Sequence, residues 1–219
     1  EFPFMGTSCC FSWKLMVRQK FPEINDYISE SSTPMIYTGL QLKKKDPNCE
    51  ITFIGPCISK KLEALEPEVA EVIDFVITYE ELLGMFLAKG IEPSEIEADE
   101  IMMDASETGR NYANSGGVAE AVVRRAKEIK PGIEVDVEGA EGLGNCVKLA
   151  QMAKLGRMDG KLIEGMACQG GCVGGPGVVI AENKKGKEVK AFAKASEFKS
   201  PADNIHIPKQ DRPNDEVLK

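Results

Sequence analysis

The stretch Met166–Gly177 reads MACQGGCVGGPG. Cys168 and Cys172 stand three residues apart, two of them glycine (Gly170 and Gly171), and Gly174 and Gly175 follow. The run Lys161–Met166 before it reads as a strand that ends at the first cysteine. Open α/β sheets place their sites at that edge. Glycines at this density let backbone close on a bulky inorganic core and aim N–H donors at its sulfides. The bland alternative is a buried cysteine pair in a flexible turn.

Two further cysteine segments lie far away in sequence. GPCISKK (Gly55–Lys61) places Cys57 at the end of a strand expected over Glu50–Ile54, with Lys60 at the start of a helix. One of its lysines can bend toward an anion near the cysteine while the other faces water. TSCCFSW (Thr7–Trp13) carries adjacent cysteines whose side chains diverge on extended backbone. One of the pair could bind metal while its neighbour faces a substrate cavity. Cysteines this far apart share a ligand only if the fold gathers them. Cys49 and Cys146 read as non-functional, and Met35 and Met166 as packing residues.

Composition narrows the chemistry. The chain has 219 residues, long enough for one large domain or two small lobes. A net charge of −8 argues against nucleic acid as a partner, because phosphate binding needs a positive surface. No apolar run is long enough for a membrane span, and no secretory signal is visible. Seven cysteines in a chain of this size point to metal or redox chemistry in a reducing cytoplasm rather than to a disulfide framework. The single histidine, His206, lies in the tail and receives no role, which disfavours zinc hydrolases and serine or cysteine hydrolases. Structural zinc would more often show close C-x-x-C pairs.

Further strands are expected over Asp74–Thr78 and Ile133–Val137. Helices are expected from Trp13 to Ile28, interrupted at Pro22, and from Pro34 to Lys45 with Thr33 as cap. Others are expected over Ser59–Leu65, Glu80–Lys89 closed by Gly90, Val118–Ile129 and Asn145–Leu155. Residues 91–113 read as a loop or lid. Almost nothing precedes TSCC to form a supporting strand, which suggests a piece of something longer. Strands alternating with helices predict an α/β fold with parallel strands.

In this order the three segments resemble the motifs TSCCPxW, MPCxxKK and MACPGGCxxGGG of the iron-only (FeFe) hydrogenase catalytic domain. DFVITYEEL, NSGGVAEAVV and GAEGLGNCVKLAQ resemble the stretches between them, and the likeness runs from about residue 5 to 177. The resemblance implies two lobes of small, mostly parallel sheets flanked by helices, with a cluster in the cleft between them. Lobe one would cover about residues 30–115 and lobe two about 116–180, within a truncated domain 1–180, leaving 181–219 as a polar tail.

It also implies Cys10, Cys57, Cys168 and Cys172 as ligands of a 4Fe–4S cluster, with Cys172 bridging to a two-iron subcluster carrying CO and CN ligands. Cys9 would relay protons, Lys60 would hydrogen-bond a cyanide, Ser29 would lie on the proton path and Met166 would pack the two-iron unit. Gly170, Gly171 and Gly174 would line the cluster. The activity implied is reversible oxidation of H2, with this piece alone inactive. The implied partners are ferredoxin-type redox carriers, maturation proteins and the upstream part of the catalytic domain. Gly55, Phe11, Gln169, Pro176 and Met35 depart from the family pattern, where methionine, proline, proline, glycine and glutamine stand. These departures resemble the divergent, sensory branches as much as the hydrogen producers. Three rivals follow: an H2- or redox-sensing module, a plain 4Fe–4S binding or assembly domain, and a structural zinc site.

Overall fold

The computed structural model describes residues 2–97, 104–180 and 186–205. His206 and the end of the tail, and part of the expected 91–113 loop, lie outside the described residues. Two small parallel sheets organise the chain, each with its own apolar core.

The larger sheet begins with β1 (Met5–Gly6), a strand the sequence reading did not find. Two residues carry too little periodicity to be seen. They become a strand only by pairing with β5 (Lys161–Met166), Met5 opposite Leu162 and Gly6 opposite Ile163. Thr7 N–H extends the ladder to Ile163 C=O at 2.9 Å. The third strand, β4 (Asp136–Glu141), pairs with the full length of β5. The apolar residues Ile133 and Val135 suggest a strand over 133–137. Pairing with β5 instead extends it through the polar run to Glu141, since a ladder lasts as long as its partner does.

Helices cover both faces of this sheet. On one face lie α1 (Phe11–Lys20), which gives way at Pro22 to a 3-10 turn, and α8 (Leu143–Lys154). Trp13, Val17, Cys146, Ala150 and Ile163 form the dry centre of the core between these helices and β5. Gly165 makes this possible: a Cβ there would sit 2.2 Å from the Trp13 indole. Trp13 also donates its ring N–H to Thr7 C=O at 3.0 Å, which fixes the turn carrying the paired cysteines. On the other face, α7 (Gly117–Ile129) begins after Gly116, whose φ is +84°.

The smaller sheet pairs β2 (Thr52–Gly55) with β3 (Phe75–Thr78). Its core holds Met35 from α2 (Pro34–Lys45), together with Ile51, Val69, Val72 and Ile73. Thr33 stands at the start of α2 as expected, but its buried hydroxyl makes no capping bond. Two short helices, α3 (Ser59–Glu63) and α4 (Pro67–Ala70), connect the strands. β3 runs into α5 (Tyr79–Ala88) through a capping box: Glu81 N–H donates to the Thr78 hydroxyl at 3.1 Å, and Thr78 N–H donates to the Glu81 carboxylate at 2.7 Å. Within the stretch read as a loop, α6 (Glu107–Asn111) forms, capped by Ser106. It packs against α9 (Lys187–Lys194), where the Arg110 guanidinium lies 3.9 Å over the Phe192 ring.

Candidate functional site

Three cysteine segments arrive at one place for three local reasons. Cys10 is the residue before α1 and its C=O accepts Lys14 N–H at 3.0 Å, so the helix start holds its backbone. The Cys10 thiol meets Ala167 N–H at 3.5 Å, across the end of β5. Cys57 follows β2, and its thiol lies 3.2 Å from the Ser59 hydroxyl. Cys168 and Cys172 follow β5 in a turn where Gly170 and Gly171 have φ of +78° and +89°. The downstream arm of that turn ties the two sheets: Gly177 N–H donates to Pro56 C=O at 2.9 Å, and a Cβ on Gly175 would meet the same oxygen at 2.6 Å.

Charge interactions link the four thiols. Burial first, then the neighbouring Cys10, Cys57 and Cys168, push the Cys172 thiol up to about 12, with Lys60 pulling the other way. Four thiols and a cation therefore share one neighbourhood. None of the seven cysteines forms a disulfide. Among the described residues, no three His, Cys, Asp or Glu side chains close on a point as ligands of a single ion would. A multi-iron cluster is several ångströms across and takes its thiolates from wider apart, with glycine backbone beside them. The set of four thiols with a glycine turn fits that group, and the absence of imidazole among the described residues suits iron–sulfur ligation.

Cys9, the residue before Cys10, is half-buried beside the same thiols. Burial, then the charge of Glu164 and the neighbouring Cys10 and Cys172, push its thiol up to about 12, well above an ordinary cysteine. The buried Thr7 hydroxyl offsets part of this from a position short of hydrogen-bond geometry. Near it, burial and the Cys9 charge raise the Tyr112 phenol. Cys9 thus keeps its proton at neutral pH.

The remaining expected residues are placed as follows. Lys60 is buried and ion-paired with the buried Glu63 at 2.5 Å, a partner the sequence reading did not assign. The i, i+3 spacing on α3 was the available signal. Ser29 sits in the loop after the 3-10 turn: its N–H donates to Gly6 C=O at 2.8 Å and its hydroxyl accepts Ser31 N–H at 3.2 Å. Met166, buried at the end of β5, uses its C=O to accept Gly142 N–H at 2.9 Å. Gly174 N–H donates to Gly171 C=O at 3.0 Å. Cys146 is buried in the core, its thiol directed to Met166 C=O at 3.4 Å. Cys49 packs at the edge of the smaller core. A cavity of about 710 Å³ lies beside α7 and β4, away from the cysteines.

Parallel α/β sheets that gather four thiols beside a glycine turn define an iron–sulfur type of domain. The chain belongs to the family described as the iron-only hydrogenase large subunit, C-terminal domain, whose model matches residues 1–176. It is 31% identical to the periplasmic [Fe] hydrogenase large subunit of Nitratidesulfovibrio vulgaris, over 78% of this chain and 50% of that protein. It is 27% identical to the cytosolic Fe-S cluster assembly factor narfl of Xenopus tropicalis, over 84% of this chain and 49% of that protein. The chain spans half the length or less of these relatives. Its fold matches a solved FeFe-hydrogenase studied for oxygen inactivation at the two-iron subcluster, with a TM-score of 0.69 and 23% identity, covering 92% of this chain and 69% of that one. No helix among the described residues is long and apolar enough to cross a membrane.

Proposed function

We propose that this chain is part of a hydrogenase-type catalytic domain that interconverts H2 with protons and electrons, and that Cys10, Cys57, Cys168 and Cys172 hold a 4Fe–4S cluster in it. The observation that carries this reading is the gathering of three distant cysteine segments around Cys172. A linked two-iron subcluster with CO and CN ligands would supply the redox chemistry when bound. The chain's own residues bind and orient. The four thiols give up their protons to become ligands, which links loading to pH. The turn at Gly170, Gly171 and Gly174 brings backbone close, and Met166 packs beside it.

Cys9, with its proton held on Sγ, is the group placed to pass a proton to the reacting centre. Ser29 would continue the path only as a hydrogen-bond relay. Lys60 contributes positive charge, balanced by Glu63, toward the anionic ligands of the two-iron unit. Ferredoxin-type domains would carry electrons, maturation proteins would deliver the two-iron unit, and the upstream part of the catalytic domain would complete the fold. The exposed apolar residues Ile54, Phe75, Met85 and Leu87 support a further segment packing on the smaller sheet and α5. Two lobes with the cluster in a cleft between them, in a cytoplasmic setting, complete the reading.

A second reading is a 4Fe–4S binding or assembly domain without a two-iron unit. It is favoured by Gly55 and Met35, which remove a packing residue and a hydrogen-bond donor beside that unit, and by the likeness to an assembly factor. Infrared spectroscopy separates the two. Matured in a competent host, with the rest of its catalytic domain, the protein is expected to show bands of iron-bound CO and CN. A loaded 4Fe–4S cluster without such bands would overturn the hydrogenase reading in favour of the second.

A further inference from the structure

Glu164 is a carboxylate in the middle of β5, only 1% exposed. Gly165 and Ile163 face the core under α1, whereas Glu164 projects to the opposite face, where α7 begins. One carboxylate oxygen accepts Gly116 N–H at 2.5 Å and the other accepts Ala119 N–H at 2.7 Å. Burying a carboxylate is costly unless it is fully hydrogen-bonded, and these charge-assisted bonds offset that cost. The residue that would cap α7 locally is Gly116, which has no side chain. The cap comes instead from a strand 48 residues away.

What this cap holds in place is the segment that grips the cysteine turn. Ser115 N–H donates to Gly170 C=O at 3.0 Å, and Val173 N–H donates to Ala113 C=O at 3.1 Å. Asn114 and Gly171 form an antiparallel bridge. The grip is tight: a Cβ on Gly171 would lie 2.5 Å from Ser115 N and 2.7 Å from Ala113 O. The connections form a closed ring. β5 leads to Glu164, Glu164 to the start of α7, that start to residues 113–115, and these to the Cys168–Cys172 turn that leaves β5. One side chain closes it.

We propose that Glu164 is a positioning residue that fixes the Cys168–Cys172 turn for cluster binding. That the turn binds a cluster rests on the reading above; the fixing of the turn is a property of the chain alone. Glu141 holds the same turn from its other side, accepting Gly170 N–H at 3.0 Å.

Two variants of the full chain, Glu164→Ala and Glu164→Gln, test this. In the metal-free chain, amide hydrogen exchange at 170–174 is expected to quicken roughly tenfold or more in Glu164→Ala, the scale of a lost charge-assisted hydrogen bond, and less in Glu164→Gln, which keeps an acceptor. Exchange in α1 and α8 is expected to stay unchanged. Unchanged exchange at 170–174 in Glu164→Ala would overturn the positioning role. After anaerobic loading with ferrous iron and sulfide, Glu164→Ala is expected to lose most of its iron and Glu164→Gln to retain more. Wild-type iron content in Glu164→Ala would overturn the link between the cap and cluster binding. Failure of the wild-type chain to take up iron would refute the cluster reading, while the exchange data would still decide the positioning role. If Glu164→Ala fails to fold, exchange at 170–174 in Glu164→Gln decides it: faster than wild type supports the role, unchanged overturns it.

Discussion

The adjacent cysteines before α1 are assigned two roles, a ligand at Cys10 and a proton carrier at Cys9. On extended backbone, side chains of neighbours point apart. Cys10 has φ −91° and ψ 104°, and its thiol meets Ala167 N–H, while Cys9 feels Glu164 and then the neighbouring Cys10 and Cys172. Their separate roles come from the resemblance; only the divergence of neighbours on extended backbone was legible in TSCC itself. The Lys60–Glu63 pair and the Glu164 cap were not. The first competes with the role assigned to Lys60 by its motif, and the second joins residues 45 and 48 positions apart, a distance no local pattern encodes. The division predicts different outcomes for Cys9→Ala and Cys10→Ala. In the matured, complete protein, Cys9→Ala is expected to abolish H2 turnover with iron content unchanged, measured by gas chromatography and iron assay. Iron loss in Cys9→Ala would show that the two roles had been exchanged.

Strands and helices follow sequence where the signal is local and depart from it where pairing decides. β5 ends where its pattern ends, and α5 starts at a capping box that Thr78 and Glu81 announce. β1 and the end of β4 exist only through β5, so periodicity in their own residues is weak. The smaller sheet has a side-chain clasp of the same non-local kind. Asp74 accepts Ile51 N–H at 2.7 Å and the Lys43 ammonium at 3.2 Å, while Asp74 and Phe75 N–H both donate to Ile51 C=O at 3.0 Å.

These contacts, the Ile51 N–H foremost and then Lys43, hold the Asp74 carboxyl below its ordinary value of 3.8. Because the folded value is depressed, the stabilisation is present above the unfolded value and is lost as pH falls through the folded one. Asp74→Asn is therefore expected to be less stable than wild type at pH 7, with the difference closing below about pH 4 as the wild-type carboxyl takes up a proton. Urea unfolding at the two pH values measures this. A difference that is constant with pH would mean that the charge of Asp74 contributes nothing.

At the scale of the molecule, the order of the motifs carried most of the information. Three segments spread over the chain could be read as one site because their sequence resembles a known set, and the fold then places them around Cys172. What physics alone supplied was the parallel α/β class and the use of strand ends. The fold matches about two thirds of a solved hydrogenase chain, and its smaller sheet leaves apolar residues such as Phe75 in the open.

The central claim is that four distant thiols act as one ligand set. Iron and acid-labile sulfide per chain, measured after anaerobic loading of wild type and of Cys10→Ser, Cys57→Ser, Cys168→Ser and Cys172→Ser, test it most directly. The account predicts four irons and four sulfides in wild type, substantial loss in each of the four variants, and no loss in Cys49→Ser or Cys146→Ser. Full iron content in any of the four, or equal loss in the Cys49 and Cys146 variants, would contradict it.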